Sequence, residues 1–232
     1  MKDTVRDKLI VALDLPSAVQ ARALTDRLGD EVSFYKVGLE LLFSGGLDLA
    51  QDLKRSGKRV FLDMKLLDIG NTVERAVATA AQLGVDFLTV HGHDRKTLDA
   101  AVKGRGTAPL KLLAVTVLTS LDANDLAEQG STMEPAELVL RRARLARAAG
   151  FDGVIASGQE AAAVRSATGP GFLIVTPGIR LPGGAAGDQA RITTPRKALA
   201  DGANHLVVGR PINAAADPLA AARSFLSDIA LG

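Results

Sequence analysis

Short apolar runs rich in Val, Ile and Leu recur along the chain, each closing on a glycine or a polar residue. They occupy residues 9–13, 32–37, 59–64, 86–90, 112–118, 153–156, 172–175 and 206–208. The runs are continuous rather than alternating, as expected of strands covered on both faces. Their C-terminal ends fall at or near Asp14, Lys36, Asp63, His91, Thr119, Ser157, Pro177 and Gly209. The spacing, about 28 residues on average, leaves room for one strand and one helix per repeat.

Between the runs lie stretches of helical periodicity with readable ends. Ser17 with Gln20 matches a capping box, and Asn71 with Glu74 offers a related N-cap. Thr194-Pro195 and Asp217-Pro218 each set a capping side chain before a first-turn proline. Gly29, Gly57, Gly84, Gly150 and Gly202 stand where helices should stop. Segment 122–134 breaks the rhythm and reads as a short extra helix or loop ahead of a helix at 135–149. Eight strand–helix units predict an α/β fold of the TIM type, a (β/α)8 barrel with residues 1–232 as a single domain. An open doubly wound sheet normally uses fewer strands, and no Pro/Ser-rich linker divides the chain.

Composition narrows the chemistry. There is no cysteine, which excludes disulfides, thiolate metal sites, iron–sulfur clusters and cysteine nucleophiles. Aromatic residues make up only 3%, so aliphatic side chains must fill most of the core. Lys and Arg number 28 against 26 Asp and Glu, with no basic run interleaved with aromatics, so no nucleic-acid partner is expected. No apolar stretch approaches the ~20 residues of a membrane span, and the N-terminus lacks signal-peptide character. A cytoplasmic protein is expected.

In a TIM barrel the strand ends build the active site. Here they carry Asp14, Lys36 and Asp63-Met64-Lys65, with Asp68 in the loop that follows. Strand alternation puts Asp63 and Lys65 on one side, toward the mouth. Four alternating charges over three strands are a candidate catalytic array rather than a simple closing ion pair. A second group lies at the other end of the chain: Gly178, Arg180, Gly209 and Arg210 follow strands seven and eight, where barrel phosphates are often held. Residues 181–191, rich in Gly and Ala, read as a lid containing Gln189. Thr119 and Ser120 offer hydroxyls after strand five. His91-Gly92-His93 has no evident third metal ligand, Walker A and G-x-G-x-x-G motifs are missing, and the arginines of 141–147 read as a solvated helix face.

The stretch Asp63-Met64-Lys65-Leu66-Leu67-Asp68-Ile69-Gly70-Asn71-Thr72 matches the signature D-x-K-x-x-D-I-x-N-T. In order with it come ALD at 12–14, YKVG at 35–38, VTVLTS at 115–120, TPGIR at 176–180, Asp188-Gln189 and VVGRPI at 207–212. Through these motifs the chain resembles the orotidine 5′-phosphate decarboxylase family over essentially its whole length. It departs where many members have an aromatic and a histidine in place of Leu66-Leu67, and a proline in place of Gly70.

The resemblance implies decarboxylation of orotidine 5′-monophosphate (OMP) to UMP with no metal and no cofactor. It implies Lys65, Asp63, Asp68 and Lys36 as catalytic residues. Asp14, Lys36, Thr72, Thr119, Ser120, Arg180, Gln189, Gly209 and Arg210 would bind the substrate. It further implies a homodimer in which Asp68 and Thr72 reach the site across the interface. Related barrels sharing D-x-K-x-x-D, the Mg2+-dependent sugar-phosphate decarboxylases and aldolases, resemble the chain too but carry a glutamate near Lys36. A barrel that binds phosphate ligands without catalysis is the remaining alternative.

Overall fold

The computed structural model describes residues 4–184 and 191–232. Eight parallel strands close into a barrel in chain order, with the last paired back onto the first. They are β1 (Leu9–Ala12), β2 (Phe34–Val37), β3 (Arg59–Leu66), β4 (Phe87–His91), β5 (Lys111–Val115), β6 (Gly153–Ile155), β7 (Leu173–Thr176) and β8 (His205–Val208). The chain is thus the expected TIM barrel. Helix α1 (Val5–Lys8) precedes β1, and α2 (Ala18–Leu28) follows it. After β2, α3 (Leu39–Leu41) passes through a kinked turn at Leu42–Gly46 into α4 (Leu47–Arg55). Then come α5 (Gly70–Gln82), α6 (Arg95–Arg105), α7 (Ala123–Glu128), α8 (Pro135–Ala149), α9 (Ala161–Thr168) and α10 (Pro195–Ala200). Helices α11 (Arg210–Asn213) and α12 (Pro218–Ala230) complete the shell. No helix among the described residues is long and apolar enough to cross a membrane.

Local chemistry starts these helices where it was expected to, with one exception. Ser17 accepts the Gln20 N–H, Thr194 the Lys197 N–H, and Asp217 those of Leu219 and Ala220. The irregular segment contains α7, started by a reciprocal box in which Asp122 and Asp125 each accept the other's N–H. The exception is α5. It begins at Gly70 behind Ile69, so Asn71 lies inside the first turn and does not cap it. Asp68 accepts the Ile69 N–H at 2.6 Å, which turns the backbone before Asn71 is reached.

Strand alternation divides the core in two. Leu9, Val11, Tyr35, Val37, Val60 and Leu62 face the helices in the larger apolar layer. Ile10, Ala12, Phe34, Phe61, Phe87, Leu113, Val175 and Val207 point inward and fill the barrel. Three of the chain's seven phenylalanines meet there. Phe87 meets Phe34 edge-on at 5.0 Å and Phe61 at 6.0 Å, and the His205 ring joins at 5.2 Å. Arg59 lays its guanidinium over Phe34, 4.2 Å from the ring centre. Aromatic scarcity is compatible with a solid core because these few rings are concentrated on the axis.

Candidate active site

The inward register of each strand, continued by two residues, builds the rim. Ala12 leads to Asp14, Phe34 to Lys36, Phe61 to Asp63, Phe87 to Thr89 and Val207 to Gly209. Asp14, Lys36, Asp63, Lys65, Thr119, Arg180, Gly209 and Arg210 line one cavity of about 530 Å3 over the phenylalanine floor. Barrel closure sets β8 beside β1, so the Gly209-Arg210 end stands next to Asp14, with the end of β7 that leads to Arg180 one strand further on.

Four of these side chains form a continuous ionic chain. Lys36 Nζ donates to Asp14 Oδ1 at 2.8 Å and lies 3.5 Å from Asp63 Oδ2. Lys65 Nζ donates to the same Asp63 oxygen at 2.7 Å. Lys36 and Asp63 are nearly buried, whereas Asp14 is half-exposed. Burial opposes the charge on Lys36, but Asp63 and Asp14 together outweigh it and raise its pKa above the ordinary lysine value. Burial likewise opposes the Asp63 carboxylate. The positive charges of Lys36 and Lys65, with hydrogen bonds from Lys65 and Thr89, prevail and hold its pKa below the ordinary aspartate value. Both groups are therefore charged at neutral pH. Gly38 makes room for this pairing, since a Cβ there would lie 2.9 Å from both Asp14 Oδ1 and Lys36 Nζ.

A register shift presents Asp63 and Lys65 to the cavity. Leu62 pairs with Leu88, and the next pairing is Leu66 with Val90. Residues 63–65 of β3 thus bulge opposite Thr89 of β4. Lys65 takes a left-handed backbone conformation at φ +49°, the only positive φ outside glycine among the described residues. Thr89 had no place in the sequence expectation. Its signal was a lone hydroxyl two residues beyond an inward Phe.

The phosphate-type wall combines Pro177, Gly178, Arg180, Gly209 and Arg210. Arg180 and Thr193 close the base of the intervening segment, with the Arg180 N–H donating to the Thr193 carbonyl at 2.9 Å. Burial and the neighbouring Arg210 charge both lower the Arg180 pKa. Two guanidiniums that disfavour each other make a place where an anion is stabilised.

Other expected residues are placed differently. Ser120 is exposed and does not line the cavity, because β5 ends at Val115 and the chain turns after Thr119. Asp68 and Thr72 are exposed at the start of α5, outside that lining. Next to Asp68 in the chain, Leu67 and Ile69 are exposed apolar side chains, at 50% and 74% exposure. Gln189 falls outside the described residues. Arg142, expected on a solvated face, instead turns inward to the Thr116 carbonyl. His91 sits at the rim, and among the described residues its buried Nδ1 has no hydrogen-bond partner. Burial, aided by His93 and Arg142, lowers its pKa to about 4. Among the described residues no three His, Cys, Asp or Glu side chains converge as metal ligands.

A family model described as Orotidine 5'-phosphate decarboxylase / HUMPS family matches residues 7–225. A protein from Rhodopseudomonas palustris (strain BisB5) named orotidine 5′-phosphate decarboxylase is 54% identical over 225 residues, covering 97% of this chain and 95% of that one. A protein of the same name from Methylobacterium sp. (strain 4-46) is 56% identical over 230 residues, covering 98% and 97%. Among solved structures, orotidine 5′-phosphate decarboxylase from Lactobacillus acidophilus superposes with a TM-score of 0.84 at 39% identity, covering 95% of this chain and 98% of that one. An uncharacterized conserved protein from Geobacillus kaustophilus gives 0.82 at 36% identity, covering 95% and 99%.

Proposed function

The chain belongs to the orotidine 5′-phosphate decarboxylase / HUMPS family, and on that premise we propose that it converts OMP to UMP and CO2 in pyrimidine biosynthesis. In this reading the reaction uses neither metal nor cofactor, and Lys65 delivers the proton to C6. The observation that carries the proposal is the Asp14–Lys36–Asp63–Lys65 chain in the cavity that Arg180 and Arg210 also line.

The substrate phosphate sits at Gly209, Arg210 and Arg180, with Gln189 bridging phosphate and base. The ribose hydroxyls meet Asp14 and Lys36, and the pyrimidine edge lies toward Thr119. Binding energy at this remote phosphate orients the reacting end. The C6 carboxylate then lies next to Asp63. At about 4 Å the two carboxylates repel by roughly 4 kcal/mol at an effective dielectric near 20. As the C6–carboxylate bond breaks, its electron pair remains on C6 and neutral CO2 leaves. The Lys65 ammonium, already 2.7 Å from Asp63, stabilises the developing carbanion. It then gives its proton to C6 as a general acid. Lys36 stands 3.5 Å from the same Asp63 oxygen, so Asp63 keeps a positive partner when Lys65 changes charge.

Completion of the site across a homodimer belongs to the same reading: Asp68 and Thr72 of a second copy would close it. Their exposure, with the exposed apolar Leu67 and Ile69 in the same stretch of chain, supports such a contact. A cytoplasmic location is part of the proposal.

The deciding experiment follows OMP absorbance in metal-chelated buffer. Turnover is expected. Its absence, together with turnover of a sugar phosphate once Mg2+ is added, reverses the reading in favour of the metal-dependent branch of the family.

A further inference from the structure

We infer that Thr89 is a positioning residue for the proton donor: its one hydroxyl holds both the backbone of Lys65 and the carboxylate of Asp63. This inference rests on the decarboxylase reading and adds a residue to it.

Thr89 Oγ1 accepts the Lys65 N–H at 2.9 Å and donates its own hydrogen to Asp63 Oδ1 at 2.9 Å. The side chain is fully buried, so water does not compete for either bond. Asp63 Oδ1 is thereby occupied by the hydroxyl, which leaves Oδ2 to face the ammonium groups of Lys65 and Lys36. Position 89 is also the single β4 residue opposite the three-residue bulge of β3. Within that bulge Lys65 holds a left-handed conformation that side-chain-bearing residues rarely adopt. No β4 pairing stabilises this stretch, so the Thr89 hydroxyl takes the place of a ladder bond.

The ammonium must reach C6 from a fixed backbone point, and a displacement of a fraction of an ångström there lowers catalysis more than binding. Thr89 touches neither the reacting atoms nor the phosphate wall. Its loss should therefore appear in kcat and spare affinity for the nucleotide product.

The test compares Thr89→Val, which keeps the shape and removes the hydroxyl, with Thr89→Ser, which keeps the hydroxyl. Thr89→Val is expected to lower kcat for OMP on the order of 10- to 100-fold, the range of a lost hydrogen bond to a charged group, with KM and UMP affinity within about threefold. Thr89→Ser is expected to stay within a few-fold of the parent in kcat. Thr89→Val with parental kcat overturns the inference, and so does a rise in KM with kcat intact. If the Val variant does not fold, Thr89→Ala replaces it, and an Ala variant as active as the Ser variant overturns the inference. A parent protein without OMP turnover in metal-chelated buffer instead sinks the decarboxylase reading, so the two failures are distinct.

Discussion

Arg191 Nη1 donates to Glu160 Oε1 at 2.6 Å, with both side chains almost wholly buried. The Ser157 hydroxyl closes on the second carboxylate oxygen, and Arg191 Nη2 reaches the Leu118 carbonyl at 3.0 Å. One guanidinium thus ties the end of the segment after β7 to the loops following β5 and β6. Removing one partner of a buried pair costs about 3–5 kcal/mol because the other charge is left uncompensated. Arg191→Met is therefore expected to lower Tm by roughly 10 °C in a chain of this size. Adding Glu160→Gln should restore part of the loss. Thermal unfolding of both single variants and the double variant checks this, and strictly additive losses would refute the coupling.

Under the proposed reaction, Lys65→Ala should nearly abolish OMP decarboxylation, because in that reading it removes both the stabilising charge and the proton donor. UMP binding should remain measurable by calorimetry, since Arg180 and Arg210 stand on another wall of the cavity. Robust turnover by that variant excludes Lys65 as the donor.

Mixing Lys65→Ala subunits with Asp68→Ala subunits should recover activity if each site takes Asp68 from the second copy. One of the two sites in such a heterodimer carries both intact residues. No recovery in a verified heterodimer counts against the shared site.

Acid stability should carry the signature of His91. The folded chain holds its pKa at about 4, against 6.5 for an ordinary histidine. As pH falls through this window the unfolded chain binds a proton that the folded chain refuses, so stability declines. His91→Gln should flatten that decline, as read from urea midpoints at pH 7 and pH 4.5. Parallel behaviour of parent and variant would falsify the assignment. The ionic chain acts at other limits. Asp63, with its pKa depressed, contributes stability present above 3.8 and lost as pH falls through its folded value. Lys36, with its pKa raised, contributes stability present below 10.5 and lost as pH rises through its folded value. Both contributions are complete across the neutral range.

The barrel and most of its rim were legible in the sequence because strand ends carry their chemistry locally. A continuous apolar run states that a strand is covered on both faces, and the polar residue closing it states what the mouth receives. Asp14, Lys36, Asp63, Lys65 and Arg210 could all be placed this way. The bulge at 63–65 could not, because it is an offset between two strands and shows only when Leu66 pairs with Val90. Thr89 was hidden for the same reason, since its role depends on what lies across from it. The Arg191–Glu160 tie joins residues far apart in the chain, with no periodicity to reveal it. Ser120 shows the limit of adjacency: it follows Thr119 in the chain, but the backbone turns there, and of the two Thr119 lines the cavity while Ser120 is exposed.

The phenylalanine floor has a consequence for traffic. With Phe34, Phe61 and Phe87 packed across the axis and Arg59 over Phe34, the cavity is a cul-de-sac. Whatever enters by the rim must leave by it. Under the proposed reaction, the gas and the nucleotide share one doorway. CO2, small and uncharged, has no tether there, while the nucleotide is still moored by its phosphate. The gas departs first, and the nucleotide's own release sets when the doorway is free again.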